Sequence, residues 1–195
     1  MFNGIIYNTG KVESIKKYKN SFYIGILTNL KFNNKDIGSS VCCDGVCLTL
    51  VNINKKTIYF YISKETLNRS NFKNLYINKT INLEKSLSFG QKISGHFTQG
   101  HVDTTAKVRK IIFLDKTWLI RFQISDKKFS KFLEEKASIS INGVSLTISK
   151  LSSNFFEINV IPHTLKLTNL NNLKLNKLVN VELDIFSKYI YKYSN

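Results

Sequence analysis

The chain has 195 residues, 43% of them hydrophobic, enough for two small cores that gain by packing on each other. Three cysteines make no disulfide framework, no apolar run approaches the roughly 18 to 20 residues that span a bilayer, and residues 1–10 lack the features of a signal peptide. The formal charge of +16 invites a polyanion, but only Arg69, Arg109 and Arg121 are arginines, and the lysines are scattered among many Asn and Ile residues as A/T-rich codons would leave them. A cytoplasmic chain with no membrane and no nucleic-acid partner is therefore expected. In chain order, strand signals rich in β-branched and aromatic residues fall at 21–27, 40–51, 57–62, 80–83, 117–124, 137–148 and 155–161. Asp44-Gly45 and Asn142-Gly143 interrupt two of these runs, where a turn, a bulge or a sharp bend would use the glycine. Helical turns are expected near 64–68, 126–134 and 162–167. In the tail, Phe186, Tyr189, Ile190 and Tyr193 share a helix face at i, i+3, i+4 and i+7, and a helix that short must pack on something to persist. Many short strands and few helices favour a small closed antiparallel barrel.

The chain is internally duplicated. SVCCDGVCLT at 40–49 returns as SISINGVSLT at 138–147, and 13 of the 44 residues from 41 to 84 recur unchanged 98 positions later, among them Gly45/Gly143, Thr49/Thr147, Thr66/Thr164, Asn82/Asn180 and Glu84/Glu182. Many of the other pairs exchange one apolar residue for another, as Val41/Ile139 does, so core positions persist while surface chemistry drifts. A weaker copy aligns Gly4–Val12 with Gly100–Val108 at an offset of 96. A period near 97 residues is far longer than a solenoid repeat and has the size of a small domain. Two domains, 1–88 and 89–184, with a tail at 185–195, follow.

No metal site is expected. Cys42, Cys43 and Cys47 lack a second ligand cluster, and His96 and His101, five apart, would point to opposite faces of a regular strand. Phosphate-cradling glycine loops and the Gly-x-Ser-x-Gly elbow are absent. Cys42 and Cys43 read as small hydrophobes, whereas Cys47 is replaced in the sister copy by Ser145, preserving a polar, weakly donating group. Residues 95–103, GHFTQGHVD, crowd two Gly-His pairs beside a carboxylate.

MFNGII at the start, SVCCDGVCLT with SISINGVSLT, KETLNRS against PHTLKLT, SGHFTQGHVDTTAKV and the closing VNVELDIFSKY together closely resemble riboflavin synthase of the alpha-chain type, over nearly the whole chain. The resemblance implies an all-β fold: tandem duplicated six-stranded antiparallel β-barrels with a short C-terminal helix. It implies a transferase of riboflavin biosynthesis that dismutates two 6,7-dimethyl-8-ribityllumazine molecules into riboflavin and 5-amino-6-(D-ribitylamino)uracil by moving a four-carbon unit, with no external cofactor. It further implies a homotrimer in which the N-terminal barrel of one subunit meets the C-terminal barrel of another, and lumazine synthase as a further partner.

Carried onto this sequence, the first pocket would be lined by Gly4, Ile5, Ile6, Cys47, Leu48, Thr49, Tyr61, Ile62, Ser63, Lys64, Glu65 and Thr66. The second would be lined by Gly100, His101, Val102, Lys136, Ser145, Leu146, Thr147, Asn159, Val160, Ile161, Pro162, His163 and Thr164. Glu65 and Lys136 would bind ribityl hydroxyls. Positions matching those implicated in the chemistry are Phe2, Ser40, Cys47, His101, Ser145 and Asp184. Here His101 would exchange the proton, Ser40, Cys47 and Ser145 would polarise or stabilise the nucleophile, and Phe2 would shape the wall. The sequence departs from the family at Asn3, where Thr is usual, at Ser94, where Gly is common, and in a shorter tail. A non-catalytic lumazine- or flavin-binding protein of the same fold is the alternative, and an RNA-binding basic barrel is a third.

Overall fold

The computed structural model describes residues 1–194 and resolves the duplication into two closed barrels. The first comprises β1 (Asn8–Lys17), β2 (Phe22–Thr28), β3 (Ser40–Cys43), β4 (Val46–Asn54), β5 (Thr57–Ile62) and β6 (Thr80–Lys85). The second comprises β7 (Thr104–Leu114), β8 (Thr117–Ile124), β9 (Ser138–Ile141), β10 (Val144–Ser152), β11 (Phe155–Val160) and β12 (Leu178–Leu183). Both close in the same order, 1-2-5-4-3-6 and its equivalent, with every neighbour antiparallel. Short helices follow the fifth strand of each barrel, α1 (Lys64–Arg69) and α2 (Pro162–Leu167), and α3 (Ile185–Ser194) closes the described chain. Asn195, the last residue of the expected tail, lies outside the described residues.

Closure of so small a barrel needs sharply bent strands, and register shifts supply the bend at matching places, Val12/Ser14 with Val108/Lys110 and Leu50/Asn52 with Ile148/Lys150. Each run expected as one long strand, 40–51 and 137–148, is split into a hairpin. Asp44-Gly45 and Asn142-Gly143 make two-residue turns with positive φ throughout, the geometry that matches strand twist. β1, β7 and β12 were not anticipated from local pattern. In β1 only Gly10 and Val12 are buried, among lysines and a glutamate; β7 hides an inward Thr104, Ala106, Val108 alternation whose small residues give a weak signal. β12 buries residues on both faces, so Asn180 and Glu182 break the apolar run.

Each barrel interior is a separate apolar cluster. Ile24, Leu50, Phe60 and Phe72 fill the first, and Phe122 stacks on Phe156 at 5.3 Å in the second. Truncating one of these aromatic rings to Ala costs roughly 3–5 kcal/mol. Between the barrels the packing is polar. The two glycine turns abut, so that a Cβ on either glycine would come within 2.9 Å of the other's backbone nitrogen. Around them Asn180 Nδ2 donates to the Asp44 carbonyl (2.8 Å), Asn82 Nδ2 to the Asn142 carbonyl (3.0 Å), and Asn169 Nδ2 to Asp44 Oδ1 (2.7 Å). Burial pushes the Asp44 carboxyl up, opposed by Lys79, whose ammonium lies 3.4 Å from Oδ2.

Candidate active site

The first strand pair of each site is a hairpin whose second strand starts beside the end of the barrel's fifth strand. Cys47, Leu48 and Thr49 open β4, next to Tyr61 and Ile62 at the end of β5. Leu48 and Ile62 point into the barrel, while Thr49 and Tyr61 face out. Ser63 then caps α1, its hydroxyl accepting the Thr66 N–H, and presents Lys64, Glu65 and Thr66. Ser40 on β3 pairs with Thr49. The second barrel repeats the plan with Ser145, Leu146 and Thr147 opening β10 and Asn159 and Val160 ending β11. Ile161 leads into α2, with Pro162 in the first turn in place of a side-chain cap, followed by His163 and Thr164. Tyr61, Glu65, Ile161 and His163 are exposed, so each candidate cleft is open at the barrel surface. A cavity of about 820 Å³ between the barrels, lined by Asn71, Lys79, Asn142, Asn169 and Lys177, includes none of these residues.

The segments before β1 and β7 complete these clefts, and they do so by exchange. Phe2 and Thr98 pair backbone to backbone (2.8 and 3.1 Å), so the two segments cross. Beyond the crossing, the Gly4 carbonyl accepts the Ser145 N–H (2.8 Å) and Ile6 joins the second core, while the Gly100 carbonyl accepts the Cys47 N–H (2.7 Å) and Val102 joins the first. The expected grouping is therefore reversed. Gly4, Ile5 and Ile6 serve the second cleft, and Gly100, His101 and Val102 serve the first. Both glycines have positive φ, +73° and +75°, and a Cβ on either would lie 2.6–2.7 Å from the facing Ser145 or Cys47 side chain. Only glycine meets both demands.

Two carboxylates hold the crossing in place. Glu84 on β6 accepts the N–H groups of Asn3 (2.8 Å) and Gly4 (3.1 Å); Glu182 on β12 accepts those of Gln99 (2.6 Å) and Gly100 (2.9 Å). Burial pushes each carboxyl up to about 7, against the two amide donors that favour the charged form.

The second cleft also holds an imidazole. His96 Nδ1 lies 2.7 Å from Ser145 Oγ, and His96 Nε2 is buried with no partner among the described residues. Burial lowers the His96 pKa, with the Asp184 carboxylate pulling the other way, so the balance favours the neutral ring. Asp184 itself accepts the Phe186 N–H (2.8 Å) at the start of α3. His101 is exposed and makes no hydrogen bond to Cys47 among the described residues; neither histidine is in a strand, so the opposite-face expectation does not apply. Phe2 is fully buried under the crossing, and Lys136 is exposed, its N–H donating to Ile148 (2.8 Å).

Comparison with known proteins gives this arrangement its kin. The lumazine binding domain family matches twice, over residues 3–86 and 99–184. Riboflavin synthase of Buchnera aphidicola is 36% identical over 97% of this chain and 92% of its own length, and that of Escherichia coli 35% over 94% and 87%. The chain belongs to the riboflavin synthase family. Among solved structures, LumP complexed with riboflavin superposes with a TM-score of 0.84 at 27% identity, covering 94% of this chain and 99% of its own. LumP complexed with 6,7-dimethyl-8-(1'-D-ribityl) lumazine gives 0.81 at 26%, with the same coverage. The barrels and their repeat are thus the family's, as the sequence implied.

Many of the expected residues lie along the two equivalent hairpins and helix caps, and His96, Glu84 and Glu182, which were outside the expectation, contact Ser145 and the crossing segments. The sequence signal for His96 is its place next to Gly95 in the same crowded motif as His101. Glu84 and Glu182 had a stronger signal. They are one of the identical repeat pairs, a charge retained inside a strand that is otherwise buried.

Proposed function

We propose that the chain is a riboflavin synthase, converting two 6,7-dimethyl-8-ribityllumazine molecules into riboflavin and 5-amino-6-(D-ribitylamino)uracil. One observation carries the reading: the chain holds two clefts of one design, and the reaction consumes two copies of one molecule. The products together contain every atom of the two substrates, so the transfer of the four-carbon unit balances without an oxidant or reductant. The protein's part is alignment and proton transfer.

In this reading the outward backbone at residues 47–49 and 145–147 pairs with the amide-like edge of each lumazine ring, and Glu65 and Lys136 meet ribityl hydroxyls. His96, neutral and hydrogen-bonded to Ser145, takes the proton from the acidic 7-methyl group of the lumazine at the second cleft, directly or through the Ser145 hydroxyl, and Asp184 stabilises the imidazolium that results. The carbanion, delocalised into its ring, adds to the partner lumazine held at the first cleft. There Cys47 and Ser40 polarise the acceptor and His101 exchanges the proton, with Phe2 fixing the wall behind the crossing.

The two rings must meet face to face, which the homotrimer would arrange by apposing the first barrel of one subunit and the second of another. The units so apposed are the domains 1–88 and 89–184, each completed by the short crossing segment of the other. Support comes from α3, whose apolar face, Phe186, Tyr189, Ile190 and Tyr193, is 54–80% exposed in the single chain, while Tyr191 packs on Phe132 instead. Phe186 meets Phe97 edge to face, and the exposed remainder of this face would meet neighbouring copies. A cytoplasmic location fits, as no helix among the described residues is long and apolar enough to cross a membrane, and a lumazine synthase would supply the substrate.

The test is incubation of the purified protein with 6,7-dimethyl-8-ribityllumazine alone. Equimolar riboflavin and pyrimidine product are expected, with a specific rate that falls on dilution as the trimer dissociates. Tight binding without turnover would instead identify a ligand carrier, the reading favoured by the ligand-bound LumP structures.

A further inference from the structure

We propose that Glu84 and Glu182 are positioning residues, each bracing the cleft of the opposite barrel through a glycine. The inference rests on the proposed dismutation for its kinetic readout and on geometry alone for its substance.

Glu84 belongs to the first barrel, yet its carboxylate grips Asn3 and Gly4, and the Gly4 carbonyl receives the backbone N–H of Ser145 in the second. Glu182 belongs to the second barrel, grips Gln99 and Gly100, and through the Gly100 carbonyl fixes Cys47 in the first. Each carboxylate spends both oxygens on adjacent N–H groups, a fork that an ionised carboxylate satisfies and a protonated one does not. A protonated carboxyl keeps one good acceptor and turns an O–H toward the second donor. The two chains of contact run in opposite directions across the crossing, so each barrel's own sixth strand sets the geometry of its sister's reactive group. A shift of even 1 Å at such a group costs about a hundredfold in rate.

The groups facing the two carboxylates differ. Glu84 sees the N-terminal amine, and Glu182 sees the Lys188 ammonium of α3 and the Asp103 carboxylate; the buried Cys42 thiol feels both. Lys188 is itself tied to Asp103 at 3.0 Å. The bracing therefore weakens as pH falls through about 7 at both positions, with the balance of neighbours distinguishing them.

Glu84→Gln and Glu182→Gln keep the shape and remove the second acceptor. Each variant is expected to lose about tenfold to a hundredfold in kcat, with a smaller change in KM because the outward cleft surface is untouched. The acid limb of the wild-type pH profile near 7 is expected to flatten in the double variant. Wild-type kcat together with an unchanged acid limb in both variants would overturn the proposal. A second measurement needs no variant: in ¹⁵N-labelled wild-type protein the Gly4 and Gly100 amide resonances are expected to titrate with midpoints near 7 as pH is scanned from about 5.5 to about 8.5. Amides that stay fixed across that range overturn the brace even if the enzyme is active. If the amides titrate but the wild type turns over no lumazine, the dismutation reading fails and the brace stands.

Discussion

The two barrels share strand order, bulge positions, glycine turns and the carboxylate brace, yet they part company at the reactive group. Ser145 has a half-buried imidazole at 2.7 Å, with the Asp184 carboxylate acting on it; Cys47, at the equivalent place, has an exposed His101 nearby and no hydrogen bond to it among the described residues. Duplication kept the hairpins and the carboxylate contacts and released the groups around Ser145 and Cys47. On the proposed function the difference makes the clefts alike as binding sites and unlike as chemical ones. A reaction between two identical molecules requires that inequality, since one must lose a proton while the other accepts a carbon nucleophile.

The largest effect is expected at the imidazole. His96→Gln should lower kcat by about 10²–10⁴-fold, the range for losing a positioned base, whereas His101→Gln should cost less. Steady-state kinetics on both variants decides it, and a greater loss at His101 would invert the assignment of the two clefts. Next comes pH. Glu84 and Glu182 keep protons in the folded chain up to about 7 that the unfolded chain releases near 4.5, so their contribution to stability is present below about 4.5 and is lost as pH rises through about 7. The loss is on the order of 3 kcal/mol per carboxyl, and urea titrations across this window should show it shrink in Glu84→Gln. Equal shrinkage in Glu182→Gln would confirm that the braces are equivalent in stability even where the clefts differ in chemistry.

Smaller effects sharpen the same contrast. Gly4→Ala and Gly100→Ala each force a Cβ into a positive-φ site against Ser145 or Cys47 and should destabilise by more than about 1 kcal/mol. Thermal unfolding measures that cost, and turnover should suffer in both, because each glycine serves the barrel it does not precede. Smallest is Glu65→Gln. Its ion pair with Arg69 is more than half exposed on both sides, so stability should change by less than about 1 kcal/mol, while lumazine affinity, read by fluorescence titration, should fall by about tenfold or less if Glu65 binds the ribityl chain.

The surplus of lysine fits a solvated surface. Arg69, Arg109 and Arg121 are each engaged within the chain, with Glu65, with Gln123 and Asn176, and with Glu157.

Much of this molecule is written locally. The identical pairs at an offset of 98 require two equivalent units, alternation of apolar residues marks most strands, and Asp44-Gly45 and Asn142-Gly143 place the hairpins because only certain residues tolerate positive φ. β1 and β7 escaped because a small barrel buries few, small side chains on their inner faces, and β12 because it is buried on both sides. The cleft residues were legible as linear motifs for the same reason that the hairpins were: each set follows a turn or a helix cap fixed by its neighbours in sequence. What tertiary structure alone decided was partnership. Gly4 serves Ser145 and Gly100 serves Cys47 because the segments cross at Phe2 and Thr98, and no local pattern records a crossing. His96 becomes the partner of Ser145, and Glu84 and Glu182 become braces, through contacts between residues roughly 50 to 80 positions apart, where chain path and burial, not spacing, choose which donor meets which acceptor.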